Sequence, residues 1–187
     1  LYKVSLGGQK ILWKGNAMYN DLSFSPDGNY IMVTTIEKPF SYLVPYRRFP
    51  SKTVIYDTNG KLVKKLLEVP LIEDLPKGFM AVRTGMRKIS WRNDKPATLI
   101  WCEALDEGDP AKEVEFRDEV FEMNAPFNSE AKSLVKTIGR YSRIIWGDEN
   151  TAIANDYWWN TRNTKLYVFN PSNNNIKPTI ISDRNYQ

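Results

Sequence analysis

The stretch DLSFSPDGNYIMVTTI, residues 21–36, with its continuation KTVIYDTNGKLVKKLL, residues 52–67, decides the fold. A short aromatic strand meets the turn Pro26-Asp27-Gly28, and an apolar strand rich in β-branched residues follows. After an insertion a third strand reaches Asn59-Gly60, and a fourth begins. The pattern then returns twice. Its second copy is RKISWRNDKPATLIWCEA from Arg87, RDEVFEMN from Arg117 and KSLVKTI from Lys132. Its third is SRIIWGDENTAIANDYWW from Ser142 and TKLYVFNPSNNNIKPTII from Thr164. Self-similarity of this kind has to be recognised before any single residue is interpreted.

With Phe24, Trp91 and Trp146 as equivalent positions, the copies lie 67 and 55 residues apart. That exceeds the roughly 40 to 50 residues of plain propeller repeats, and the excess lies in insertions between strands. Four-stranded antiparallel meanders in series are β-propeller blades. No segment shows ten or more residues of helical periodicity. The nearest, 128–137, ends in SLVKT, which suits a strand. The N-terminus extends the pattern backwards, because Leu1-Tyr2-Lys3-Val4 answers Lys165-Leu166-Tyr167-Val168. The expected fold is therefore all-β: a partial β-propeller of about three and a half four-stranded antiparallel blades. They comprise a half blade over 1–15 and blades over 21–68, 86–138 and 140–182. On this reading 1–187 is a fragment of one propeller domain from a longer polypeptide. Ile31, Val33, Val54, Tyr56, Leu99, Trp101, Val120, Ile153, Tyr167 and Phe169 should pack blade on blade. Of the adjacent Trp158 and Trp159, one should pack between blades while the other faces outward. Unpaired strands at the open ends would favour self-association.

Composition fits a soluble piece of a globular protein, with 42% hydrophobic residues, 13% aromatic residues and a net charge of +4. Neither a membrane span nor a signal peptide is legible. A bacterial periplasm or cytoplasm are the candidate locations. Cys102 sits in the apolar run Leu99-Ile100-Trp101-Cys102 and reads as a buried, inert thiol. The chain contains no histidine. It therefore cannot supply a Ser-His-Asp or Cys-His pair, and it has no G-x-S-x-G elbow, phosphate-binding glycine loop or C-x-x-C pair. No catalytic residue, metal ligand or cofactor site is expected. The acidic run Glu103, Asp106, Glu107, Asp109, Glu113 and Glu115 lacks the spacing of a calcium loop and reads as a solvated loop.

Two strings carry a resemblance: SPDGNYIMVTTIEKPFSYLVPYRRFPSKTVIYDTNGKLVKKL, residues 25–66, and PLIEDLPKGFMAVRTGMRKISWRNDKPATLIWCEALDEGDP, residues 70–110. They resemble the propeller of the glutamyl endopeptidase branch of the prolyl oligopeptidase superfamily. The resemblance implies a serine peptidase in which a propeller precedes an α/β-hydrolase domain and restricts the peptides that reach it. The triad would lie in that C-terminal domain, which becomes the expected partner, together with peptide substrates. A stand-alone propeller acting as a protein-interaction platform is the alternative. Nucleic-acid binding is disfavoured, because a charge of +4 is spread over blades of both signs.

If the strands alternate in direction, the loops after second strands and the crossovers after fourth strands share one face. The insertions 39–50, 69–85 and 104–115 all fall there. Long loops on a rigid scaffold are where binding concentrates. Between Lys77 and Arg92 the chain carries Lys77, Arg83, Arg87, Lys88 and Arg92 without an acidic residue, and 46–49 adds Tyr46, Arg47, Arg48 and Phe49. Guanidinium groups grip carboxylates with two parallel hydrogen bonds. Arg47, Arg48, Arg83, Arg87 and Tyr46 are accordingly the candidate substrate-facing residues. The competing reading makes these arginines solvated charges or partners of the acidic run.

Overall fold

The computed structural model describes residues 1–186. It is all-β, with a single 3₁₀ turn over Tyr46–Arg48 and no α-helix among the described residues. β1 (Tyr2–Val4) and β2 (Lys10–Leu12) form a hairpin. β3 (Met18–Phe24), β4 (Tyr30–Ile36), β5 (Ser51–Asp57) and β6 (Leu62–Val69) form a four-stranded sheet in sequence order. β7 (Arg87–Trp91), β8 (Thr98–Ala104), β9 (Asp118–Asn124) and β10 (Lys132–Thr137) form the next. β11 (Arg140–Trp146), β12 (Ala152–Trp158), β13 (Asn163–Phe169) and β14 (Thr179–Asn185) form the last. Every pairing is antiparallel, so each sheet is a meander of the propeller-blade type.

The three aromatic residues used to align the copies hold the same place in each sheet. Phe24 closes β3 and pairs with Ile31, Trp91 closes β7 and pairs with Leu99, and Trp146 closes β11 and pairs with Ala152. Each first strand also carries a pairing irregularity near its start, between Tyr19 and Asp21, Arg87 and Ser90, and Tyr141 and Arg143. A bulge adds local twist and re-aims the side chains beside it. The β3–β4 turn shows why the polar signals work. Ser25 accepts the Gly28 amide on its carbonyl at 2.8 Å, and its hydroxyl donates to Asp27 at 2.6 Å. Gly28 takes φ 73°, which side chains rarely adopt.

The chain divides into two compact units, Leu1–Glu73 and the part from Asp74 on. In the N-terminal unit, Ile31, Val33 and Val54 form a buried cluster against Trp13, Tyr19 and Tyr56. Lys14 fixes the hairpin by donating to the Gly60 carbonyl at 2.7 Å, with its ammonium 3.9 Å from the Tyr56 ring centre. In the C-terminal unit two sheets share one core. Ile100, Cys102, Val120, Leu134 and Val135 pack with Tyr141, Ala152, Ala154, Tyr167 and Phe169. Burial of this apolar area is the main force joining the two sheets. Cys102 is fully buried within it, and desolvation pushes its thiol up to about 11. It stays protonated at neutral pH and is a packing residue.

Candidate functional site

In the N-terminal unit the candidate residues lie on the insertion between β4 and β5. This loop has a defined shape because polar and aromatic contacts pin both its ends. Glu37 donates its amide to the Pro50 carbonyl at 2.7 Å, and Phe40 stacks on Phe49 at 5.6 Å. The loop is also tied to the segment after β6: the Ile72 amide donates to the Arg48 carbonyl at 2.9 Å, and Ser41 donates to Glu73 at 2.9 Å. Pro45 and Phe49, both extended, bracket the 3₁₀ turn Tyr46–Arg48. Tyr46 and Arg47 are exposed and Arg48 is half-buried. Tyr42 and Leu43, earlier in the same loop, are exposed as well, so the loop presents basic, aromatic and apolar side chains to solvent.

In the C-terminal unit the other two candidates are already engaged. Arg83 folds its guanidinium back onto the carbonyls of Thr84 and Met86. Burial, then the nearby Arg87 charge, lowers its pKa. Arg87 is buried and ion-paired with Asp118. Its place at the first position of β7 points it into the blade, so the structure assigns its charge to folding. Arg92 is likewise buried, bonded to both carboxylate oxygens of Asp94 at 2.8 Å and to Glu122 at 2.7 Å, with its guanidinium 3.8 Å from the Trp146 ring centre. The basic run therefore divides into engaged arginines and the exposed Lys77 and Lys88.

The solvated reading of the acidic run fails at Asp106, which is 1% exposed. It accepts from Arg140 on both oxygens at 2.8 Å and from Arg117 at 2.9 Å. Arg140 reaches Asp118 at 3.0 Å and the Met80 carbonyl at 3.0 Å. Asp118, fully buried, also accepts the Tyr141 amide at 2.9 Å. Three guanidiniums thus share two carboxylates. The outermost cation, Arg117, lies 3.8 Å from the Trp158 ring centre, where cation–π attraction assists it. This network joins the crossover before β7, the loop after β8 and the starts of β9 and β11. A backbone bond from Val82 to the Gly108 carbonyl at 3.1 Å completes the crossover's attachment.

The paired arginines hold the Asp106 carboxyl below its usual value, against the opposing effect of desolvation. Burial pushes Asp118 up, against Arg87 and Arg140. A depressed folded pKa contributes stability that is present above the unfolded value and lost as pH falls through the folded one. Asp106→Asn should therefore be less stable than the unsubstituted protein at neutral pH, with the gap narrowing below about pH 4. Urea midpoints measured from pH 7 down to 3 check this. A gap independent of pH would assign the role of Asp106 to shape alone.

Spacing gave no warning of this network, since its five members lie in four separate segments. One usable signal was present: Arg87, Arg117 and Arg140 each stand at or beside the start of a strand. On the same C-terminal unit, Phe79 packs at a tilt against Trp159 with ring centres 5.3 Å apart, and the Arg162 guanidinium lies 3.4 Å from the Trp159 ring centre. Trp158 faces Arg117 instead, so the adjacent tryptophans serve opposite sides of β12 and its turn.

These sheets define the class of protein: an all-β chain of propeller blades with long loops and no histidine. The acylaminoacyl peptidase of Pyrococcus horikoshii shares the fold, with a TM-score of 0.50 at 12% identity over 96% of this chain and 28% of that one. The kinship is more specific in sequence. Over 170 residues the chain is 39% identical to the probable chloroplastic glutamyl endopeptidase of Oryza sativa subsp. japonica, covering 90% of this chain and 18% of that protein. The probable chloroplastic glutamyl endopeptidase of Arabidopsis thaliana gives the same figures. No protein-family model matches the chain. The chain is thus homologous to a segment of the glutamyl endopeptidases, of whose length it spans about a fifth, as the resemblance read from its strings implies. Both relatives carry a chloroplast location in their names. No helix among the described residues is long and apolar enough to cross a membrane.

Proposed function

We propose that this chain is the non-catalytic propeller part of a serine peptidase, orienting or admitting peptides for a hydrolase domain elsewhere in the same polypeptide. The observation that carries the reading is 39% identity to glutamyl endopeptidases across a segment built of blades. Chemistry supports the division of labour. With no histidine and no nucleophile elbow, these residues lack the usual base and the strained turn that activate a serine. By itself the chain should hydrolyse neither peptides nor esters.

Substrate contact on this reading falls to the patch of Tyr46, Arg47 and Arg48. Arg83 and Arg87, engaged in the other unit, have little left to offer a ligand. An exposed arginine among aromatic groups attracts carboxylates from a distance and grips them at short range. In the full-length protein, replacing Arg47 and Arg48 with Gln should lower kcat/KM for an acidic peptide roughly threefold to tenfold, and less for its neutral counterpart. The penalty should shrink with added salt, because exposed charges are screened over about 10 Å at 0.1 M. Matched peptides at two ionic strengths provide the test. An equal, salt-insensitive loss for both would assign these arginines to loop structure, through the Ile72 bond to Arg48.

A further inference from the structure

Within the C-terminal unit, β7 and β11 are the end strands of their sheets, and an open cleft of about 410 Å³ lies between them. Trp91 and Trp146 line it with apolar and aromatic surface, while Ser90 and Ser142 contribute hydroxyls. Both strands are irregular at this point, since the pairing of β7 slips between Arg87 and Ser90 and that of β11 between Tyr141 and Arg143. Lys88 sits inside the first irregularity at φ 53°. A long side chain in that conformation persists only where its surroundings hold it. Here its ammonium crosses to β11, donating to the Tyr141 carbonyl at 2.8 Å and to the Ser142 carbonyl at 3.3 Å. An ammonium has three protons, so one remains.

Arg143, on the opposite wall, is exposed and has no carboxylate partner among the described residues, in contrast to Arg87, Arg92, Arg117 and Arg140. No Asp or Glu lines the cleft. Its chemistry is therefore two cationic groups with spare donors, the Ser90 and Ser142 hydroxyls, the Asn93 amide and aromatic walls from Trp91, Tyr141 and Trp146, beside β7, an end strand of its sheet. An extended peptide suits such an edge, because its backbone can add to the sheet while side chains settle into pockets.

We propose that this cleft binds a peptide segment in which an acidic residue adjoins an apolar one. The carboxylate meets Arg143 and Lys88, and the apolar side chain lies against Trp91 and Trp146. The proposal rests on the reading that this propeller meets peptides, and it assigns them a site remote in sequence from Arg47 and Arg48.

The test is a calorimetric titration of the protein with the capped tetrapeptide Ala-Glu-Phe-Ala and its Gln counterpart, with tryptophan fluorescence as a second readout. The Glu peptide should bind roughly fivefold to tenfold more tightly, as expected for a charge-assisted contact at a partly open site. Arg143→Gln should reduce that difference at least threefold, and Arg143→Lys should keep part of it. Equal affinity for the two peptides, or an undiminished preference in Arg143→Gln, overturns the proposal. So does displacement of the Glu peptide by a short oligonucleotide at lower concentration, which would make the cleft a phosphate site. Because the titration reads binding without turnover, a failed kinetic test of Arg47 and Arg48 leaves this result standing, and the reverse also holds.

Discussion

Asp118→Ala should destabilise the C-terminal unit by about 3–5 kcal/mol, the range for removing one partner from a buried ion network. The size follows from what stays behind. Arg87 is 8% exposed and Arg140 is 5% exposed, and both donate to the carboxylate that the substitution removes. The Tyr141 amide loses its acceptor as well. Arginine cannot escape by deprotonating, so its charge stays in a medium that solvates it poorly. Asp106 would remain to bind Arg140, but it would leave Arg87 unaided. Asp118→Asn, which keeps volume and one acceptor oxygen, should cost less, about 1–3 kcal/mol. Urea denaturation followed by tryptophan fluorescence compares the variants. A loss under about 1 kcal/mol for Asp118→Ala would mean that water or rearranged side chains take over the arginines, and that the network is ornamental to stability.

This network marks where the sequence stops being legible. Strand existence, blade count and the equivalence of Phe24, Trp91 and Trp146 follow from local periodicity and turn chemistry, which act over five to ten residues. The partners of a charge do not. Asp106 stands in a run of acidic residues whose other members are mostly exposed, and nothing within the run distinguishes the one that turns inward. Arg87 was legible as a base beside a long crossover. Its burial depends on Asp118, 31 residues later, and on Arg140 in the next blade. The bulges at Lys88 and Ser142 were equally hidden, because a slip in pairing is settled by the twist of two strands together. By contrast the buried state of Cys102 could be read from its neighbours, since a four-residue apolar run in a strand declares a two-sided core.

Gly108→Ala should cost about 2–4 kcal/mol, more than any other glycine-to-alanine change in the acidic loop's surroundings, because two penalties add there. The residue has φ 80°, and side chains in that region cost about 1–2 kcal/mol. A methyl group would also stand 1.9 Å from the Val82 carbonyl oxygen, far inside contact distance. The obstruction is backbone, so no side-chain rotation relieves it, and the crossover must move away from the loop. Moving it breaks the Val82 amide bond to the Gly108 carbonyl and strains the Met80 carbonyl's contact with Arg140. Gly28→Ala is the control. It has the same backbone problem at φ 73°, yet nothing lies within 4 Å of the added carbon, so only the conformational cost of about 1–2 kcal/mol should appear. Thermal unfolding of the two variants measures the difference, and limited proteolysis locates it: Gly108→Ala should open new cleavage sites between 76 and 86, while Gly28→Ala should not. Equal losses would show that the crossover adjusts to the loop without penalty. The attachment built from Arg140, Asp106 and the Val82 amide would then not be what holds it in place.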